Sequence, residues 1–210
     1  MFEKEQQVKE VLFFMKLKTD LVIMGSGMAG ISAADAALAR GKKVIVFEKK
    51  PYQGGAVSNC PIAYVSIRKD RAFQNAAFHL LYEYSNYNAN PSVIRQYVNN
   101  SWRTKEYIER LGIKMIPTQQ LELEDIGDPK YADGFPPAVM AHGDFYLVPG
   151  RGKGHGGALI CLNAMKDIIK RGGQYMLNTP ITDILVDENG KVTGVKAVNN
   201  ETKEEIEVEC

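Results

Sequence analysis

The sequence predicts an α/β fold with a parallel βαβ unit near its N-terminus and a β-hairpin near its C-terminus. Three observations lead to this prediction. Short apolar runs at 21–24 and 44–47 flank an alanine-rich stretch that begins with a glycine-rich turn. Apolar residues recur at helical spacing over 71–84 and 91–111. Two alternating runs near the C-terminus flank 187–190, whose sequence Asp-Glu-Asn-Gly is typical of a hairpin turn.

The first half of the chain contains the βαβ unit and two helices. Residues 1–18 are expected to be an N-terminal extension, either an extra helix or a frayed arm, ahead of a domain over 19–210. Pro91 and Ser92 are suited to start the second helix, and Gly112 is suited to end it. The predicted elements here are a strand at 19–24, a helix at 31–40, a strand at 44–47, a loop to 58, and helices at 71–84 and 92–111.

The second half is predicted to contain short strands, one helix and a meander. Residues 114–150 are rich in Pro, Gly and Asp, which favours short strands and loops. The remaining predicted elements are a helix at 158–171, strands at 174–177, 181–186 and 192–198, and a last strand within 201–210.

Composition excludes several classes of partner. The 210 residues are 45% hydrophobic and carry a net charge of +1, so neither nucleic acid nor an anionic membrane is an expected partner. No run reaches the ~18–20 apolar residues of a membrane span. Cys60, Cys161 and Cys210 form no C-x-x-C pair, and reduced thiols in a cytoplasmic protein are expected.

The glycine-rich turn has the spacing G-x-G-x-x-G. In dinucleotide-binding βαβ units, the first glycine (Gly25) permits the tight turn and the second (Gly27) lets the backbone approach a pyrophosphate. The third, Gly30, lets the helix pack close to the strand, and the helix N-terminus attracts the phosphates. Glu48 ends the second strand at about the 20-residue distance expected of a carboxylate that binds ribose hydroxyls. A bound dinucleotide is therefore expected; the alternative is a structural glycine turn in an ordinary βαβ unit.

A second small-residue loop, Gly54-Gly55-Ala56-Val57-Ser58, follows Glu48 after a short interval. Its backbone N–H groups and the Ser58 hydroxyl are candidates for the ribityl and pyrophosphate end of a flavin dinucleotide, and the alternative is a plain surface turn. A third glycine-rich stretch, 152–157, lacks the Gly-Lys-Ser/Thr ending of a triphosphate loop and is interpreted as a lead into the following helix.

These segments together resemble a known family. The segment Asp20–Gly30, the segment Val46–Lys49 and the Gly54-Gly55-Ala56 loop are similar to the flavoprotein subunits of the fumarate reductase/succinate dehydrogenase family. That group also contains 3-ketosteroid dehydrogenases and related enoate reductases. Further similar segments are 102–113, 163–173, 178–185 and 189–195, so the resemblance covers nearly all of 19–199.

The resemblance implies a Rossmann-like FAD-binding domain and a set of cofactor-binding residues. The family's strand at 181–186 places Ile181 beside the adenine. Relatives that hold FAD covalently use a histidine in the loop after the second strand, and this chain has none between Glu48 and Ala76, so non-covalent FAD is expected. The implied cofactor-binding residues are Gly25, Ser26, Gly27, Met28, Ala29, Gly30, Glu48, Lys49, Gly54, Gly55, Ala56, Ser58 and Ile181.

The implied activity is hydride transfer between FAD and an activated C=C bond of an enoate-like small-molecule substrate. The family's mobile capping domain and substrate-binding residues would follow Cys210, so the domain is expected to be truncated and its catalytic residues are unknown. The alternatives are a non-catalytic or split FAD-binding module completed by another chain, and, less favoured, an NAD-only dehydrogenase. An electron-donor protein or a second chain is the expected protein partner.

Overall fold

The computed structural model describes residues 14–59, 63–67, 69–117, 143–147 and 156–210. The chain divides into two compact units. Unit 1 contains the described residues up to Gln53 together with Met165–Cys210, and unit 2 lies within Gly54–Ala164.

In chain order the described strands are β1 (Phe14–Lys18), β2 (Leu21–Met24), β3 (Val44–Phe47), β4 (Ala63–Ile67), β5 (Ile116–Pro117), β6 (Gly143–Leu147), β7 (Gln174–Met176), β8 (Ile181–Val186), β9 (Val192–Val198) and β10 (Glu205–Glu209). The described helices are α1 (Met28–Leu38), α2 (Arg71–Tyr84), α3 (Pro91–Asn100), α4 (Arg103–Arg110) and α5 (Gly156–Lys170), with a short 3₁₀ helix at Ala56–Asn59.

Unit 1 is built around a parallel sheet in the order β2-β3-β7. All four residues of β3 are buried, which explains its uninterrupted apolar sequence, because the central strand of a parallel sheet is covered on both faces. Helix α1 connects β2 to β3 and packs on both strands. This is the βαβ unit that the sequence predicts.

A second sheet in unit 1 has the order β1-β10-β9-β8, in which β8, β9 and β10 are antiparallel neighbours. The hairpin between β8 and β9 turns at 187–190 as predicted, where the Asp187 side chain accepts hydrogen bonds from two backbone N–H groups of the turn. The buried residues of β9 and β10 form one core with β3. That core consists of Ile45, Phe47, Val195, Ala197, Ile206 and Val208.

The expectation of a helix or frayed arm before residue 19 is wrong for residues 14–18, which form β1. This strand pairs in parallel with β10 in the register Phe14↔Glu205 to Lys18↔Glu209. Its side chains alternate between exposed and half-buried, with Met15 and Leu17 packed against the core. This two-residue period is that of a strand on a half-covered sheet. Residues 1–13 lie outside the described residues.

Unit 2 combines a small antiparallel sheet, in the order β4-β6-β5, with helices. The side chain of Asp70 caps α2, and the side chain of Asn90 caps α3 with Pro91 in the first turn. Helices α2 and α3 pack on β4, and the core of this unit contains Ile67, Ala77, Ile94 and Val98.

The predicted single helix over 92–111 is in fact two helices, α3 and α4, with a break at Ser101 and Trp102. The hydroxyl of the buried Ser101 accepts a hydrogen bond from the backbone N–H of Ile67 at 2.9 Å. The Trp102 indole N–H donates to the Asn99 carbonyl, and the Thr104 N–H bonds to Ser101, three residues back. These contacts tighten the turn and interrupt the α-helical ladder.

Candidate cofactor-binding site

The glycine turn begins where β2 ends. Gly25 has φ +93°, a left-handed conformation that favours glycine, and its N–H donates to the Phe47 carbonyl at 2.7 Å. The turn is therefore attached directly to the carboxyl end of β3. In doubly wound α/β folds, ligands bind in the crevice outside the carboxyl ends of the strands.

Gly27 and Gly30 differ in what a side chain would meet. A Cβ on Gly30 would lie 2.0 Å from the Gly25 carbonyl oxygen and 3.3 Å from Ile23, so helix α1 approaches the turn too closely for any other residue. A Cβ on Gly27 would have no described atom within 4 Å. The backbone beside Gly27 is thus open to a ligand, whereas Gly30 is needed for packing.

The N-terminus of α1 follows the turn. The N-cap residue is Gly27, no described side chain caps the helix, and no acidic residue lies in its first turn. The Ile31 N–H makes a backbone hydrogen bond to Gly27, so the N–H groups of Met28, Ala29 and Gly30 lie ahead of the helical ladder. Such N–H groups and the helix dipole together favour an anionic ligand.

Glu48 follows the last residue of β3, its side chain contacts the glycine turn, and it is only 6% exposed. Its Oε2 atom accepts hydrogen bonds from the Ser26 N–H at 2.9 Å and the Ser26 hydroxyl at 2.8 Å. Its Oε1 atom accepts from the Lys50 N–H at 3.0 Å. A carboxylate has about four acceptor positions, and among the described residues only the Lys50 N–H donates to Oε1, which leaves this atom capacity for one further donor.

The same contacts set the ionisation of Glu48. Burial raises the pKa of this carboxyl, but the N–H groups of Ser26 and Lys50, the Ser26 hydroxyl and the Lys50 charge together outweigh burial. The pKa of Glu48 therefore lies below its ordinary value. The group is therefore a carboxylate at neutral pH, and both of its oxygens can accept hydrogen bonds.

A backbone hydrogen bond connects Glu48 to the residues just before β8. The Thr179 N–H donates to the Glu48 carbonyl at 2.9 Å, two residues before Ile181. Ile181 itself is half-buried, pairs with Ala197 and packs against the core. Lys49 is exposed beside Glu48.

The second glycine loop lies in unit 2. Gly54 has φ +92°, and a Cβ there would lie 2.9 Å from Ser58 Cβ and 3.1 Å from Cys161 Sγ. The Ser58 hydroxyl donates to the Gly55 carbonyl at 2.6 Å, and Ser58 is buried. Ser58 thus closes the loop, and its hydroxyl hydrogen is already used within it.

The structure brings some predicted residues together. Ser26 and Glu48 are in direct contact, and the glycine turn, the N-terminus of α1 and Ile181 all belong to unit 1. Gly54, Gly55, Ala56 and Ser58 belong to unit 2. Residues 152–155, the first part of the third glycine-rich stretch, lie outside the described residues.

Sequence reasoning missed two residues that hold Glu48, namely Lys50 and Thr179. Both donate a backbone N–H to Glu48, and a backbone N–H carries no residue-type signal. The charge of the Lys50 side chain also lowers the pKa of Glu48. It also missed the contact between Ser26 and Glu48. Ser26 occupies an x position of the G-x-G-x-x-G motif, and the motif gives no indication that the hydroxyl of this residue donates to Glu48.

The described residues contain no group of three His, Cys, Asp or Glu side chains arranged to hold a metal ion. Among them there is also no helix with the length and apolar character needed to cross a membrane.

Comparison with known proteins identifies the family. The sequence matches the family described as FAD binding domain over residues 20–209. It is also 31% identical over 199 residues to the NADH:fumarate oxidoreductase of Klebsiella pneumoniae (strain 342), a match that covers 90% of this chain and 19% of that protein.

Solved structures show the same fold. The FrdA chain of E. coli quinol fumarate reductase aligns with a TM-score of 0.70 at 17% identity, covering 93% of this chain and 32% of that one. The 3-ketosteroid-Δ4-(5α)-dehydrogenase of Rhodococcus jostii RHA1 aligns with a TM-score of 0.69 at 17% identity, covering 98% of this chain and 46% of that one. The chain thus spans less than half the length of each of these relatives. It belongs to the family described as FAD binding domain.

Proposed function

We propose that this chain binds FAD non-covalently through its glycine turn and Glu48, and forms the cofactor-binding part of an oxidoreductase that acts on an activated C=C bond. The observation that carries the proposal is the buried, ionised carboxylate of Glu48, tied to the turn through Ser26. A structural glycine turn alone requires no such carboxylate, whose burial carries a desolvation cost.

The described residues fit the adenosine diphosphate half of FAD. Gly27 leaves open space where a pyrophosphate would lie, and the N–H groups of Met28 and Ala29 are donors for it. The acceptor position on Glu48 Oε1 that no described residue uses suits one ribose hydroxyl. We assign Ile181 to the adenine side of the site and the exposed Lys49 to its rim.

For the flavin half we assign the loop Gly54-Gly55-Ala56, which would act through its backbone. Ser58 holds this loop closed, since its hydroxyl donates to Gly55. When bound, FAD supplies the hydride-transfer chemistry, and the protein binds and orients it.

The proposed substrate class is based on the Klebsiella relative, an NADH:fumarate oxidoreductase. We propose an enoate of the fumarate type as the small-molecule substrate and an electron-donor protein or a second chain as the source of electrons. The free thiols of Cys161 and Cys210 agree with the reducing environment of the cytoplasm, where we place the protein.

A second candidate is a non-catalytic FAD-binding module completed by another chain. The two candidates share the cofactor site and differ only in whether turnover occurs in this chain alone.

The cofactor is tested by titrating the apo protein with FAD while flavin fluorescence is followed. Saturable binding is expected, and acid precipitation of the complex should release the flavin into the supernatant. Flavin that stays with the precipitate would overturn non-covalent binding. Tight binding of NADH without any of FAD would instead favour an NAD-dependent dehydrogenase.

The reaction is tested anaerobically. The bound flavin is reduced with dithionite, excess reductant is removed, and fumarate is added. Rapid reoxidation that depends on fumarate would support catalysis by this chain. Its absence, with FAD still bound, would support the non-catalytic module.

A further inference from the structure

Residues 176–179, which begin with the last residue of β7, hold the backbone of Glu48 and Lys50 through hydrogen bonds. The Glu48 N–H donates to the Met176 carbonyl at 2.9 Å, and the Glu48 carbonyl accepts from the Thr179 N–H at 2.9 Å. The Asn178 N–H donates to the Lys50 carbonyl at 2.8 Å. The position of Glu48 therefore depends on the conformation of residues 176–179.

That conformation is unusual and is fixed by side chains. Asn178 has φ +57°, in the left-handed region that glycine and, less often, asparagine adopt. Thr179 is 1% exposed, and its hydroxyl donates to the Leu177 carbonyl at 2.7 Å while accepting from the Asn199 Nδ2 at 3.2 Å. A buried hydroxyl that uses both its donor and an acceptor position locks the local turn.

Asn199 connects this segment to the turn between β9 and β10. Its Oδ1 atom accepts hydrogen bonds from the N–H groups of Glu201 and Thr202, at 2.9 and 3.0 Å. Its Nδ2 atom reaches Thr179. The two ends of one amide side chain therefore perform separate tasks: one shapes the turn and the other braces Thr179.

We propose that Asn199 and Thr179 are positioning residues for the Glu48 carboxylate. Asn199 donates to Thr179, Thr179 fixes the 177–179 turn, and that turn sets the backbone from which Glu48 reaches Ser26 and Lys50. The relevance of this arrangement to cofactor affinity rests on the proposed function, in which Glu48 binds the ribose. The mechanical link itself belongs to the apo protein.

Three substitutions separate the link from the fold. Thr179→Val removes the hydroxyl at nearly constant volume, and Thr179→Ser retains it. Asn199→Asp keeps an acceptor for the turn but loses the donor to Thr179. Asn200→Asp is the matched charge control, because Asn200 makes its described hydrogen bonds through its backbone.

The first readout is amide hydrogen exchange in the apo protein. The Ser26 and Lys50 N–H groups both donate to the Glu48 carboxylate. In Thr179→Val and Asn199→Asp their exchange should accelerate by about tenfold, while the Ile45 amide changes by less than about twofold. Thr179→Ser and Asn200→Asp should resemble the wild type. Unchanged Ser26 and Lys50 exchange, or equal acceleration at Ile45, would overturn the proposal.

The second readout is FAD affinity in a double-mutant cycle. Thr179→Val should weaken binding by about five- to tenfold when Glu48 is present and by less than about twofold in Glu48→Gln, because it acts through Glu48. An equal loss in both backgrounds would overturn the proposal. If the wild type binds no FAD, the proposed function fails, and the exchange measurement still decides whether Thr179 and Asn199 position Glu48.

Discussion

Gly27 and Gly30 lie three residues apart, but the structure requires glycine at only one of them. Gly27 has φ −68° and ψ 178°, a conformation open to any residue, and free space beside it. Gly30 faces the Gly25 carbonyl at a distance that excludes a methyl group. The described fold thus gives no reason for glycine at position 27, which agrees with the proposal that the pyrophosphate lies beside it.

Gly27→Val should leave the fold intact and abolish FAD binding, because its side chain would occupy the space assigned to the pyrophosphate. Gly30→Ala should destabilise the protein by about 1–3 kcal/mol through overpacking. Urea unfolding and fluorescence titration measure the two effects. FAD binding by Gly27→Val with unchanged affinity would contradict the site.

The ionisation of Glu48 gives a second prediction at this scale. Because the pKa of Glu48 is lower in the folded protein, its contribution to stability is complete above the ordinary value of about 4.3 and is lost as pH falls through the folded pKa. Glu48→Gln should cost about 1–3 kcal/mol at pH 7 and progressively less below pH 4. Urea unfolding of both proteins from pH 7 to 3 measures this difference. A difference that grows towards low pH would show that the sign is wrong.

At the scale of elements, an ion-pair cluster joins α1 to the end of α5. The Arg171 Nη2 atom contacts Asp35 of α1 and lies 2.9 Å from the Oδ2 atom of Asp167 in α5. All three side chains are less than a third exposed. Since α1 carries the N–H groups assigned to the pyrophosphate, this cluster helps to hold the helix that carries the site.

Arg171→Met should lower the free energy of unfolding by about 1–3 kcal/mol, because two carboxylates lose the cation between them. Lys170→Met, at an exposed position one residue earlier, is the control and should change stability by less than about 0.5 kcal/mol. Thermal and urea unfolding provide the measurement. Equal effects of the two substitutions would show that the cluster is not stabilising.

Local signals were sufficient to predict some elements and not others. The β2–α1–β3 unit was predictable because its glycine spacing and apolar runs all lie within 30 residues of one another. Strand β1 was not, since its partner β10 is nearly the whole chain away and the short alternation is easily read as a frayed arm. The break after α3 depends on the contact between Ser101 and Ile67, which helical periodicity does not report.

The same distinction applies to the candidate site. Glu48 was predictable from its place after an apolar run, but its partners were not. Thr179 reaches Glu48 through a backbone N–H, and Asn199 reaches Thr179 only because β8 and β9 pair. Contacts of this kind arise from tertiary structure and leave no periodic pattern in the sequence.

For the whole molecule, the division into two units predicts which fragments of FAD bind. The residues assigned to the adenosine diphosphate half, among them Gly27, Glu48 and Ile181, all belong to unit 1. ADP should therefore compete with FAD. FMN, which lacks the adenosine, cannot form the charged hydrogen bond to Glu48 and should bind at least about tenfold more weakly than ADP.

Competition titrations and thermal shifts with ADP and FMN test this prediction. A ligand at 100 times its Kd should stabilise the folded protein by about 2.7 kcal/mol, so a saturating ADP concentration should raise the melting temperature by several degrees. Gly27→Val should remove the ADP shift, which would link the effect to the glycine turn rather than to nonspecific anion binding. If FMN displaced FAD as effectively as ADP did, the flavin half would supply much of the affinity. That result would contradict the proposal that a hydrogen bond from the ribose to Glu48 is a main source of FAD affinity.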